Sequence, residues 1–343
     1  MFGGLGDNIH SPPLLSFKME EGVRHTVNLL AVVNTGLLLK QVFNAVSSVT
    51  LLALVAMGLF IIFGMMKVIN MAHGEFFMLG AYTMWWLLER GVNFWLNLVA
   101  AAVVLGVFGV VVERTIIQRL YARGDLSTLL ATFGLGILLQ RGVAMMFGDR
   151  PQFVSSPISG GPTILGNTYP AYQIVATILA IVTIVAVVLL FLRTDFGLRA
   201  RATIVNPAMA AALGVDTSRM NALSFALGSA LAGFAGALAS PFVSVVPAMG
   251  LDWVVRSFLV VIVAGVGSIG AAIGGAAIVG GWEAGFTAIR DATYAQITVL
   301  VIVWVLVLLR PRGLFAGKLR RRPRLPVSPF PPSPGLTGEG GRE

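Results

Sequence analysis

Eight apolar runs divide this chain, at about 44–66, 72–89, 94–113, 126–147, 172–193, 220–241, 254–286 and 294–310. Runs of this kind cross a bilayer, whose hydrocarbon core takes about 20 apolar residues as a helix. In lipid no backbone group can be left unpaired, so only helices and closed barrels span it. These runs lack the strict apolar/polar alternation of barrel strands, which leaves helices. A shorter run at 27–39 carries Asn28 and Asn34 and reads as an interfacial or half-inserted helix. The expected fold is all-α, a polytopic transmembrane helical bundle of about eight or nine helices, some of them short or discontinuous.

Composition agrees. Of 343 residues 57% are hydrophobic and 11% charged, against roughly 25% charged in soluble domains. The net charge of +9 does not point to nucleic acid, because the basic residues sit in short blocks between apolar runs rather than on one solvated face. There is no cysteine, which excludes disulfides, thiolate metal sites and cysteine nucleophiles. Residues 1–25 contain Asp7, Glu20 and Glu21 and lack the apolar core of a signal peptide. The domain reading is therefore a leader over 1–40, a transmembrane domain over 41–315 and a Pro/Gly-rich disordered tail over 316–343.

The basic blocks set an orientation. Arg114, Arg119 and Arg123 follow one run; Arg193, Arg199, Arg201 and Arg219 lie in 193–219; Arg310, Lys318, Arg320, Arg321 and Arg322 follow the last. By the positive-inside rule these segments and the C-terminus are cytoplasmic. With 242–253 then outside, 254–310 must cross an odd number of times. A pair of short helices broken near Gly265–Gly270, followed by 294–310, satisfies that count. Irregular backbone at membrane depth is tolerated only against a cavity or other protein, so the break is a candidate pathway element.

In 193–219, Asn206-Pro207 reads as a turn and helix start, Ala208 to Leu213 as a short helix and Gly214 as its C-cap. By composition alone an ordinary interfacial connector is the plainer reading, and a docking element for a cytoplasmic partner the sharper one. Gly228, Ala232 and Gly236 recur every four residues, and Gly270 with Gly274 and Gly281 with Gly285 repeat the spacing, as faces for close helix packing do.

Two motifs invite chemistry. Gly265-Val-Gly267-Ser268-Ile-Gly270 is a literal G-x-G-x-x-G, yet no alternating strand and helix units surround it, so a dinucleotide site fails on context. No G-x-x-x-x-G-K-[ST] occurs, so this chain has no ATP-binding P-loop of its own. The stretch from Ile61 to Tyr82 gathers Lys67, Asn70, His73 and Glu75 beside Gly64, Gly74 and Gly80. His73 and Glu75, two residues apart, point to different faces of a helix and lack a third ligand nearby, which argues against a metal. Asn70 and Gly74 suggest a non-helical turn. Inside a membrane such polar residues either line a transport path, carry protons, or brace helix ends by buried hydrogen bonds.

The run GLFIIFGMMKVINMAHGEFFMLGAY resembles the signature near the first spans of the branched-chain amino acid and urea type ABC importer permeases. LRARATIVNPAMAAALGVDTSRMNALSFALGSALAGFAGAL is similar to that family's coupling segment, and SFLVVIVAGVGSIGAAIGGAAIVG and RPRGLF to its C-terminal third. The likeness runs from about Val42 to Phe315; the leader and the Pro-rich tail depart from it. It implies a multi-pass subunit of a bacterial-type inner membrane that is not itself an enzyme and holds no cofactor. Its partners would be a second related permease or a second copy, two cytoplasmic ATPases carrying ATP and Mg, and an extracytoplasmic solute-binding protein.

In that reading Arg199, Asn206, Pro207, Ala210, Ala211, Leu213 and Gly214 couple to the ATPase. Asn70, His73, Glu75, Gly267 and Ser268 mark a small passage between 61–82 and the 257–275 break. Cargo would be branched-chain amino acids, or urea and short amides, since SVVPAMG and RPRGLFA also resemble the urea branch. A proton-coupled secondary transporter and a passive urea-like channel remain the alternatives from other classes.

Overall fold

The computed structural model describes residues 35–311 and 313–315, apart from 165 and 266–268. The leader up to 34, most of the 27–39 run and the tail from 316 lie outside these described residues.

Helix α1, Thr35–Met66, is 32 residues long and runs unbroken through 35–39. Those residues thus extend the first span rather than forming a separate interfacial piece. Its middle is apolar on every side and correspondingly buried among the other helices of the bundle, as a helix without a polar face must be. After Met66 the chain leaves helical geometry. Lys67 adopts φ 54, the one positive φ of a non-glycine among the described residues. Helix α2, His73–Leu88, then starts inside the bundle; its 16 residues make about 24 Å, short of a bilayer core of about 30 Å.

Helix α3, Phe94–Val112, is capped by Asn93, whose side chain accepts the Trp95 N–H at 2.9 Å. It continues through a π turn, Glu113–Ile117, and a 3-10 turn, Tyr121–Arg123. Helix α4 is Asp125–Phe147 and α5 Ala171–Arg193. Between them lies a small antiparallel hairpin, Thr163–Ile164 with Asn167–Thr168, and Gln152 pairs with Val245 in an isolated bridge. Helices α6, Asp195–Val205, and α7, Pro207–Ala212, fill the polar link to α8, Thr217–Ala239. Then come α9, Met249–Ala264, α10, Ile269–Thr287, and α11, Ala292–Leu309.

Six helices among the described residues are long and apolar enough to cross a membrane, while α2 and α9 are too short to qualify. The architecture is the all-α bundle expected, with the α9–α10 discontinuity beginning at Gly265. Helix α6 is an addition to the expected list. Its apolar residues are interrupted by Asp195, Arg199 and Arg201, so no hydropathy run marks it, but Thr194 caps it by accepting the Gly197 N–H at 3.3 Å.

Glycines fix the centre. A β-carbon on Gly228 would fall 2.6 Å from the Gly58 carbonyl oxygen, one on Gly233 2.6 Å from Leu105 Cβ, and one on Gly236 would collide with the Phe77 carbonyl. Helix α8 therefore touches α1, α2 and α3 backbone to backbone, the approach that small residues permit in lipid. One end of the bundle collects the basic segments. Tyr121 there reaches Met66, Gln118 reaches Ser218, and Ala272 near the start of α10 joins Leu59 and Phe60 of α1.

Candidate functional site

Three of the residues singled out in the sequence cluster at the start of α2. Asn70, His73 and Glu75 are buried, with 0%, 0% and 6% exposure. The turn feeding them is held from outside. Thr132 on α4 accepts the Met71 N–H at 3.1 Å and lies 3.1 Å from the Ile69 carbonyl, while Asn70 Oδ1 accepts the Ala72 N–H at 3.1 Å. The non-helical turn expected from Asn70 and Gly74 is thus present over 67–72, ahead of Gly74 rather than at it.

His73 and Glu75 face different helices, as their spacing requires. Nε2 of His73 lies 3.0 Å from the Val55 carbonyl, which can only accept, so Nε2 carries the hydrogen. Glu75 instead lies on α9: a β-carbon on Gly250 would fall 2.6 Å from its carboxyl carbon. Asn70 Nδ2, His73 Nδ1 and Glu75 Oε2 are all buried without a hydrogen-bond partner among the described residues. Buried polar atoms are nearly always paired, so three orphans on one six-residue turn set this place apart from the apolar bundle around it.

Gly267 and Ser268 of the expected break lie outside the described residues. The described rim of that break, Gly265, is at the basic end of the bundle, where Leu314 and Phe315 donate to the carbonyls of Val263 and Ala264. Along α9 it is about 22 Å from Gly250, so Glu75 meets the start of α9 and not the break at its end. On α9 the 61–82 stretch meets Gly250, Val254 and Trp253, the last stacked on Phe77 at 4.3 Å between ring centroids, while Phe63 packs on the cluster of Leu59, Phe60, Val261 and Ala272 that flanks the break.

The second constellation is the elbow of α6 and α7. Asn206 caps α7, its Oδ1 accepting the Met209 N–H at 3.0 Å, with Pro207 in the first turn. At the other end Gly214 takes φ 85; its N–H bonds the Ala211 carbonyl at 3.0 Å and the Val215 N–H the Ala210 carbonyl at 3.0 Å, closing a Schellman motif. The helix is Pro207–Ala212, one residue earlier than the sequence suggested, with Leu213 as cap. Ala210 is buried and seats the helix, whereas Arg199, Asn206, Pro207, Ala211, Leu213 and Gly214 are exposed. Sequence reasoning passed over Val205 and Met209, which with Leu213 are 85%, 58% and 77% exposed. Their spacing of four, together with two polar flanks, was the available signal. The elbow is anchored to the bundle by Arg201, whose Nη1 donates to the Phe191 carbonyl at 2.6 Å, and by Gly197 pressed on the Phe191 backbone.

Beside the elbow, Glu113 in the π turn is fully buried. Tyr121 donates to its Oε1 at 2.8 Å, and Tyr121 Oη also lies 3.0 Å from Met66 Sδ. Burial, with the Glu113 carboxylate beside it, pushes the Tyr121 phenol above its ordinary range, so it stays a donor. This cluster carried no recognisable spacing in the sequence.

Sequence comparison identifies the family around these two constellations, a broken-helix start in the bundle and a capped elbow on its basic end. The family described as branched-chain amino acid transport system / permease component matches residues 41–309. The chain belongs to this family. It is 29% identical over 292 residues to the high-affinity branched-chain amino acid transport system permease protein LivH of Salmonella typhimurium, covering 80% of this chain and 94% of that protein. Over 291 residues it is 25% identical to the permease protein BraD of Pseudomonas aeruginosa, covering 80% and 95%. A probable branched-chain amino acid transport permease protein LivH of Methanocaldococcus jannaschii is 26% identical over 290 residues, covering 80% and 91%. No solved structure matches. As a permease of this ABC transporter family the chain is a multi-pass membrane transport protein, and the matched span contains both constellations.

Proposed function

We propose that this chain is the transmembrane permease subunit of an ABC importer for branched-chain amino acids in a bacterial-type inner membrane. It works with a second permease, two cytoplasmic ATPases that bind ATP and Mg, and a solute-binding protein on the other face. Family membership supports the importer class. The names of its relatives support branched-chain amino acids over urea or short amides as cargo.

The observation that carries the mechanism is the α6–α7 elbow. A helix of six residues is too short to hold itself in water, yet α7 is capped at both ends and seated by Ala210, while Val205, Met209 and Leu213 stay exposed. Exposed apolar residues on a rigid support are what an interface core needs. The elbow leads through Asp216, which caps α8 by accepting the Arg219 N–H at 3.0 Å, into the helix that touches α1, α2 and α3. ATP-driven movement of the ATPases would push α7, and α8 would carry that displacement to the α2 start. Asn70, His73 and Glu75 belong to the passage there.

The test is leucine uptake into proteoliposomes carrying the full complex. Uptake should require ATP and the binding protein and should ignore a proton gradient; uptake driven by a proton gradient without ATPases would overturn the reading. Gly214→Val, which forces a β-branched residue to φ 85, should leave insertion intact and uncouple ATP hydrolysis from uptake.

A further inference from the structure

We propose that the Glu75 carboxylate, held over Gly250 where the N-termini of α2 and α9 meet, receives the ammonium group of a zwitterionic amino acid during its passage. The proposal rests on the importer reading and names the chemistry by which the permease itself tells amino acids from neutral amides.

The carboxylate has a built housing. Gly250 leaves the space it occupies, since a β-carbon there would fall 2.6 Å from Oε2 and 2.7 Å from Oε1. On its other side Gly136 of α4, itself buried, closes the nook, a β-carbon there standing in van der Waals contact at 3.7 Å from Glu75 Cγ. Within this nook Oε2 is buried and has no hydrogen-bond partner among the described residues. The ion pairs that the described residues form are Arg219 with Asp216 and Arg256 with Glu283, and neither includes Glu75. A carboxylate in an apolar interior without counter-charge is expensive to keep, and such groups in membranes face a pathway or a partner.

The surroundings specify which partner. Glu75 lies in the first turn of α2 and Gly250 in the first turn of α9. The N–H groups of His73, Glu75 and Met249 are held by the carbonyls of Asn70, Ala72 and Val246, and both helix starts carry partial positive charge. Half-helix N-termini at membrane depth suit a cargo carboxylate. The nook therefore offers one unpaired carboxyl group, which an incoming cation would hold ionised, beside the partial positive charge of two helix starts, a pattern matched by a group with an ammonium and a carboxylate on one carbon. Urea and short amides bring no charge and could only hydrogen-bond. Access requires α4 to draw away from α2. Helix α4 touches the rest of the bundle chiefly through α2 and the 3-10 turn before it, so it is the wall of the nook least held in place.

The test uses the whole complex in proteoliposomes with leucine-loaded binding protein. Glu75→Gln should lower the leucine moved per ATP hydrolysed at least tenfold, and Glu75→Asp should restore part of it. A bracing role would reduce the yield of complex without changing that ratio. Because the chain has no cysteine, Gly136→Cys gives a single reporter in the nook. Millimolar leucine should slow its alkylation by a maleimide several-fold, millimolar urea should not, and Glu75→Gln should remove the leucine effect. An unchanged ratio in Glu75→Gln, equal protection by leucine and urea, or no alkylation in any nucleotide state would each overturn the proposal. Failure of the wild-type complex to take up leucine with ATP would instead overturn the importer reading.

Discussion

The backbone N–H of Leu314 donates to the Val263 carbonyl at 2.9 Å, tying the segment after the last span to the last turn of α9. Phe315 repeats the bond to Ala264 at 3.2 Å, and its ring covers Gly274 of α10. A helix that stops at membrane depth leaves carbonyls unpaired. Here the stretch RPRGLF, some fifty residues downstream, supplies the donors. The two C-terminal motifs are one structural unit that closes the basic end of the α9–α10 pair.

Gly313→Ala should weaken that unit beyond a simple backbone penalty. Gly313 has φ 85, which costs an L-residue about 1–2 kcal/mol, and its added β-carbon would also press into the Gly265 backbone. Gly124 shares φ 85 but faces open space. Thermal melting of the solubilised protein should show Gly313→Ala losing clearly more than Gly124→Ala. Equal losses would mean that the contact with Gly265 contributes nothing.

Gly233→Val should disrupt the bundle centre, whereas Gly281→Ala should not. A β-carbon at Gly233 would meet Leu105 Cβ at 2.6 Å, while Gly281 has nothing within 4 Å. Overpacking of this kind costs typically 1–3 kcal/mol, and alanine is favoured over glycine in a helix by about 1 kcal/mol. Yield and melting temperature of the two variants should therefore move in opposite directions.

That contrast marks how far the sequence could be read. The spacing of Gly228 and Gly236 announced a close-packed face, and α8 uses it; Gly281 and Gly285 share the spacing and meet nothing. Spacing tells which residues share a face, and tertiary register decides whether a neighbour arrives there. The apolar runs, the break at Gly265 and the caps of α7 were legible because each depends on local chemistry. Helix α6 was not, since its charges suppress any hydropathy signal. Nor was the seat of Glu75 on Gly250, which joins residues 175 apart through the fold. Within the elbow, Asn206, Pro207 and Gly214 could be identified as caps, but the burial of Ala210 beside exposed Met209 depends on how α7 sits on the bundle.

Tyr121→Phe should destabilise the basic end. The phenol is the donor to the buried Glu113 carboxylate, whose Oε2 already lacks a partner. Removing it leaves Oε1 unsatisfied as well, a loss of about 1–3 kcal/mol. Glu113→Leu should be tolerated better in the Tyr121→Phe background than alone, because replacing both partners removes the unpaired group. A double-mutant cycle read by melting temperature checks this, and strict additivity would refute the pairing.

Leu213→Ser should cut stimulation of the partner ATPases while leaving this chain folded. Leu213 is 77% exposed, and as the cap residue of α7 it contributes only its backbone to the bonds that end the helix. Its side chain is therefore free of structural duty and available to a partner. Interface residues of this kind cost about 2 kcal/mol when truncated at the core of a contact, roughly thirtyfold in affinity. Ala212→Ser, exposed on the same short helix but small, should change little. Titrating purified ATPase subunits against reconstituted permease separates the two. If the Leu213 and Ala212 variants bind alike, the apolar stripe of Val205, Met209 and Leu213 is not what the ATPase grips, and coupling must pass through the polar residues Arg199 and Asn206 instead.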